Sequence, residues 1–97
     1  MPKYITLLNW TDQGIRNIKE SPARLDAAKE MFESAGAKLE QFFLVTGKYD
    51  MVAIVEAPDD ETAAKVSLAV GSRGAARTET LRAFTENEYR KMIADLP

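Results

Sequence analysis

Phe42-Phe43-Leu44-Val45-Thr46-Gly47-Lys48-Tyr49-Asp50-Met51-Val52-Ala53-Ile54-Val55-Glu56 is the stretch that decides the fold of this chain. Two apolar runs, 42–45 and 51–55, flank a short segment that contains Gly47. Runs of this length, rich in β-branched and aromatic residues and joined by a few residues including glycine, form a β-hairpin. The spacing predicts strands over Ala37–Thr46 and Met51–Glu56, with Gly47-Lys48-Tyr49-Asp50 as the turn.

The flanking sequence supplies helices on both sides of this hairpin. Upstream, Leu25, Ala28, Phe32 and Ala35 recur at helical spacing. Ser21 is the expected N-cap, Pro22 the first helical residue and Gly36 the left-handed residue that ends the helix. Before it, Lys3–Trp10 reads as a strand, broken by Thr11-Asp12-Gln13-Gly14. Residues 15–20 suggest a helical turn anchored by Ile15 and Ile18. Downstream, Ala57-Pro58-Asp59-Asp60-Glu61 opens a second helix, its carboxylates favoured at the positive end. Ala63, Val66, Ala69 and Val70 form its expected buried side, and Gly71-Ser72-Arg73-Gly74 closes it, with Gly71 as the C-terminal glycine. A fourth strand covers Arg77–Phe84. Thr85 and Glu88 form a capping box for a last helix, whose stripe is Tyr89, Met92, Ile93 and Leu96. The order βαββαβ plus one helix is an α+β, ferredoxin-like pattern with a four-stranded antiparallel sheet. Its first and third strands belong in the centre. The 97 residues are read as a single domain, 1–97.

The composition excludes several kinds of chemistry. There is no Cys and no His, so thiolate catalysis, disulfides, zinc-finger ligand sets and an imidazole base are ruled out. The 13 basic and 15 acidic residues give a net charge of -2, without the basic footprint of a nucleic-acid binder. Arg73, Arg77 and Arg82 gather in one region, but Glu79 interrupts them. No apolar run approaches the roughly 20 residues needed to span a bilayer. Met1-Pro2-Lys3-Tyr4 lacks the apolar stretch of a signal peptide, so a cytoplasmic location is expected. No metal site is expected: Asp59-Asp60-Glu61 is the densest acidic cluster and already serves a helix start.

Two helices can cover only one face of the sheet, and the other face should be polar in an isolated domain. Here Ile5 and Leu7 alternate with Tyr4, Leu8 and Trp10, Phe42 and Leu44 with Phe43 and Val45, and Val52 and Ile54 with Met51, Ala53 and Val55. Both faces of three strands are apolar. Only the fourth, with Thr78, Thr80 and Arg82 on one side, looks like a half-wet edge. Each large apolar side chain left uncovered forgoes ~1.5–3 kcal/mol. Half a dozen forgo roughly 10 kcal/mol, comparable to the whole stability of a small domain. The simplest remedy is a homodimer through the sheet face about a two-fold axis, with room for a higher oligomer. The competing arrangement has the C-terminal helix or the 11–20 segment shielding that face within the same chain.

The turn Gly47-Lys48-Tyr49-Asp50 resembles the Gly-x-Tyr-Asp signature of the GYD-domain family. So do Leu7-Leu8-Asn9-Trp10-Thr11, Gln13-Gly14-Ile15, Glu56-Ala57-Pro58-Asp59-Asp60 and Arg77-Thr78-Glu79-Thr80-Leu81-Arg82-Ala83-Phe84. The family is similar to the dimeric α+β-barrel superfamily, and the resemblance implies two ferredoxin-like protomers packed sheet to sheet. In cofactor-independent monooxygenases of that superfamily Asn and Trp side chains line a pocket, a role that Asn9 and Trp10 could take. Haem-degrading relatives use a His ligand, which is absent here, and no cofactor is expected.

The candidate ligand-binding residues are Asn9, Trp10, Tyr49, Asp50, Arg73 and Arg77. Asn9 and Trp10 place an amide beside a large ring at a strand end; otherwise they serve a turn and the core edge. Tyr49 and Asp50 suit proton transfer, or ordinary turn hydrogen bonding. Gly71-Ser72-Arg73-Gly74 with Arg77 could cradle an anion. The expected function is a homo-oligomeric small-molecule-binding or structural module whose ligand is unknown. The alternative is a cofactor-free oxygenase or isomerase with a pocket between sheet and helices, lined by Asn9, Trp10, Tyr49 and Arg77. That alternative requires an enclosed cavity of ~300 Å³ or more.

Overall fold

In the computed structural model, which describes Met1–Pro97, the elements are β1 (Lys3–Trp10), α1 (Asp12–Arg16), a 3-10 turn (Ile18–Glu20), α2 (Ser21–Ser34), β2 (Lys38–Leu44), β3 (Met51–Glu56), α3 (Asp60–Ser72), β4 (Ala76–Ala83) and α4 (Glu86–Ala94). The strands form one sheet in the order β2-β3-β1-β4, and every neighbouring pair is antiparallel. This is the ferredoxin-like arrangement, with the first and third strands central.

Side-chain alternation sorts the sheet into two faces. Thr6, Leu8 and Trp10 of β1 and Met51, Ala53 and Val55 of β3 lie beneath α2 and α3. Leu39 and Phe42 of β2 join them there, although their spacing of three would put them on opposite faces of a regular strand. An irregularity between Leu39 and Gln41 shifts the register and turns both side chains inward. Phe32 of α2 and Ala63 and Val66 of α3 close this layer against Tyr4, Ala53 and Val55.

The helices start and stop where local chemistry satisfies their ends. Asp59 caps α3 by accepting the Thr62 N–H at 2.7 Å. Thr85 and Glu88 form the expected reciprocal capping box of α4. Ser21 is not the N-cap of α2: the 3-10 turn runs directly into the helix, Ser21 is already helical at φ -55°, and Glu20 is the cap. Gly71 is not the terminating glycine of α3 either. The helix continues to Ser72, and Gly74 takes the left-handed conformation at φ 83°. Strand β4 begins one residue before the expected Arg77, because Ala76 pairs with Trp10.

Ile15 and Ile18 do not anchor the 11–20 segment; both are exposed. Backbone contacts hold it instead. The Thr11 N–H donates to the Ala75 carbonyl at 3.1 Å, and the Thr11 hydroxyl donates to the Gly74 carbonyl at 2.5 Å. Gly14 is buried against Ala75. The segment therefore clamps the loop before β4 and leaves the open sheet face free. Helix α4 does not shield that face: no residue of it is buried, and its side-chain hydrogen bonds stay within the helix and its cap.

Candidate functional site

The face turned away from the helices carries Ile5 and Leu7 at its centre, with Val52 and Ile54 beside them in register: Ile5 opposite Ile54 and Leu7 opposite Val52. Phe43 and Leu81 extend the patch onto the two edge strands, opposite Val52 and Ile5, and stand 51% and 45% exposed. The threonines of β4 lie on the other side: Thr78 lines the space under the helices, and Thr80 shares a 2.8 Å hydrogen bond with Ser67 of α3. The threonines of this edge strand thus face the helix side, and its open side presents Arg77, Glu79, Leu81 and Ala83 in turn.

One end of the open face is polar. Asn9 pairs with Arg77, and Leu7 with Glu79. The Tyr49 hydroxyl donates to Glu79 Oε2 at 3.1 Å. Because β1 lies between β3 and β4, that bond carries the phenol across the end of β1. The bond to Glu79, with some desolvation, holds the Tyr49 hydroxyl above its ordinary pKa. Asp50 has a different task. Its Oδ2 accepts the Trp10 N–H at 3.0 Å, its own N–H donates to the Leu8 carbonyl at 2.9 Å, and its carbonyl accepts the Val45 N–H at 2.9 Å. Asp50 staples the hairpin loop to the end of β1, and Gly47 permits the turn by adopting φ 111°. The Tyr-Asp pair of the signature therefore divides its work: Asp50 fixes the loop and Tyr49 reaches over the sheet.

Trp10 and Arg73 lie on the other side. Both line a cavity of about 100 Å³ between the sheet and α2 and α3, together with Leu8, Leu25, Phe42 and Val70. Small-molecule pockets run about 300–1,000 Å³, so this space is well below what the oxygenase or isomerase reading requires. The four residues named for such a pocket are also divided, since Trp10 faces the helices while Asn9 and Arg77 face away. The Arg73 N–H donates to the Val70 carbonyl at 3.2 Å, and the Gly74 N–H to the Gly71 carbonyl at 3.1 Å. These amides end the helix and are not free to cradle an anion. No group of three or more acidic side chains converges in metal-binding geometry, and no helix is long and apolar enough to cross a membrane.

Two clusters were not anticipated from the sequence. Lys3 Nζ bridges Glu40 at 2.7 Å and Glu56 at 3.1 Å at the end of the sheet remote from Tyr49. Its hydrogen bonds to the two carboxylates raise the Lys3 pKa, and the same contact with Lys3 lowers that of Glu56. The buried Tyr4 donates its hydroxyl to Asp60 Oδ1 at 2.5 Å, tying β1 to the start of α3. The period of two grouped Tyr4 with Leu8 and Trp10 on one face of β1, but nothing local pointed to Asp60 as its partner.

The chain matches the GYD domain family over residues 4–93 and belongs to that family. It is 36% identical over 85 residues to a Thermus thermophilus protein named glutamine synthetase and cystathionine beta-lyase binding protein, covering 87% of this chain and 90% of that one. Among solved structures it resembles TTHA0845 from Thermus thermophilus, with a TM-score of 0.56 and 29% identity over 88% of this chain and 95% of that one. It also resembles the leucine response regulatory protein LrpA of Mycobacterium tuberculosis, with a TM-score of 0.66 and 15% identity over 87% of this chain. The match spans 51% of that regulator and is a likeness of fold.

Proposed function

We propose that this member of the GYD-domain family is a homo-oligomeric interaction module. Two copies pack sheet to sheet, and the assembled unit docks on other proteins, enzymes among them. The carrying observation is the open face itself: Ile5, Leu7, Val52 and Ile54 are half-buried at the centre of the sheet, on the side away from α2 and α3, and Phe43 and Leu81 stand exposed at its flanks. An exposed apolar patch of that extent marks an interface. Covering it contributes on the order of 5–10 kcal/mol, a large share of what a domain of this size has in total. The name of the Thermus thermophilus relative, which binds two enzymes, supports docking on proteins. The cavity of about 100 Å³ under the helices is smaller than the enclosed pocket that turnover would need, which favours docking over catalysis. In the assembled unit Asn9, Tyr49 and Arg77 line one end of the shared interior, where a small polar ligand would be held.

Light scattering on the purified chain, combined with native mass spectrometry, tests this reading. The expected particle is twice the 10.8 kDa chain mass or a multiple of that pair. Ile54→Asp, which puts a charge at the centre of the face, is expected to return the chain to one copy while leaving the circular dichroism spectrum unchanged. A wild-type chain that stays at the single-copy mass at micromolar concentration would sink the proposal. Immobilised wild-type protein is expected to retain glutamine synthetase or cystathionine β-lyase, and Ile54→Asp to retain less.

A further inference from the structure

The structure assigns a partner to α4: we infer that this helix is an arm captured by a second copy of the same chain. The inference rests on the sheet-to-sheet reading and goes beyond it. Helix α4 has nine residues, and isolated helices shorter than about 12–15 residues are marginal in water. The capping box helps the first turn only. The stability of such a helix has to come from packing its apolar stripe, yet Tyr89, Met92 and Ile93, followed by Leu96, stand 58%, 44%, 50% and 64% exposed. No part of the chain buries them.

Three observations choose a second copy as the occupant. First, the open face is small. Four strands about 4.8 Å apart and about eight residues long give roughly 20 by 26 Å, or about 500 Å² of flat area. A stable, specific interface takes about 800 Å² from each partner. A stripe with one aromatic and three long aliphatic side chains supplies area on the order of that shortfall. Second, α4 starts at the rim of the face that needs covering. It follows Ala83 of edge strand β4 after two residues, and Ala83 pairs with Lys3 at the end of the sheet. The molecule measures 52 Å along its longest axis, about twice the strand length, so the helix projects from the body. Third, the charges of the helix are mixed in sign, with Glu86 paired to Arg90 at 2.8 Å, Glu88 engaged in the cap and Lys91 followed by Asp95, so no single-sign patch beside the stripe selects a charged target. An arm that begins at the edge of a two-fold interface reaches the partner's body, and the partner's arm returns the contact.

Hydrogen exchange of the intact chain, read by mass spectrometry over a concentration series, tests the arm directly. In the assembled protein the amides of 86–94 are expected to exchange on the order of 100-fold more slowly than in the dissociated chain. The double variant M92D/I93D leaves the body untouched and is expected to weaken self-association by roughly tenfold or more, as loss of an interface anchor does. Protection of α4 in the single-copy Ile54→Asp protein would overturn the inference, because the helix would then pack within its own chain. So would an unprotected α4 in a wild-type dimer, or a double variant that associates as tightly as wild type; in both cases the sheet interface survives and only the arm fails. Protection that arises only on adding an enzyme partner also overturns it, assigning the helix to that enzyme. A wild-type chain found as a single copy removes the sheet reading and the arm together.

Discussion

Tyr4 is a buried titratable group whose neutral form the fold requires. Burial first, and then the hydrogen bond to the Asp60 carboxylate, push its hydroxyl from the ordinary 10.0 up to about 12. The folded chain therefore holds this proton more tightly than the unfolded chain. By linkage the contribution is complete below pH 10 and is lost as pH rises from 10 through 12. Lys3, raised through Glu40 and Glu56, titrates in the same direction from 10.5, so wild type alone does not isolate the tyrosine. Comparison with Tyr4→Phe does. That variant is expected to lose about 1 kcal/mol at neutral pH, the worth of one hydrogen bond. In urea unfolding it should then show a shallower decline between pH 10 and 12 than wild type. Equal alkaline slopes in the two proteins would show that the Tyr4 hydroxyl is not held in this way.

Among the elements, the glycines around α3 separate what a sequence pattern can and cannot say. Gly71 and Gly74 belong to one four-residue stretch, and either could have ended the helix. Which one takes the left-handed conformation depends on how far α3 continues to pack on β4, a tertiary matter. Gly71 has open space where a Cβ would go and lies in the last turn of α3. Gly71→Ala is therefore expected to stabilise the protein by roughly 0.5–1 kcal/mol. Gly14 behaves oppositely. A Cβ there would sit 1.9 Å from the Ala75 carbonyl oxygen, so the clamp between α1 and the loop before β4 must open. Gly14→Ala is expected to cost about 1–3 kcal/mol or more, as overpacking does, and urea titration of both variants checks the opposite signs. The bounds of β1 and β3 were legible because apolar runs end at clear turn residues. The bulge near Glu40 was not, since an inserted residue leaves no mark in an apolar pattern. Nor were the contacts that define the polar end. Asn9 facing Arg77 follows from a register, and Tyr49 reaching Glu79 spans a strand between them. The adjacent Asn9 and Trp10 could have been sent to opposite faces by the period of two alone.

At the scale of the whole molecule, a thin core makes stability depend on what covers the open face of the sheet. Only eleven of 97 residues are buried, and several of those are alanines. Such a layer leaves little margin over the conformational entropy of the chain. If folding and association are coupled, the unfolding equilibrium carries the protein concentration, and each tenfold increase contributes about 1.4 kcal/mol per dimer. Spread over the unfolding entropy of two chains of this length, that is a rise of about 3–4 °C in the thermal midpoint per decade of concentration. The shift should be seen by differential scanning fluorimetry or calorimetry across three decades, and it should vanish in Ile54→Asp, whose midpoint lies lower at every concentration. M92D/I93D is expected to keep the concentration dependence but from a lower starting midpoint, because the sheet contact persists without the arm. A wild-type midpoint that does not move with concentration would mean that one copy folds on its own layer of helices, and that the apolar face, though open, is not what holds the protein together.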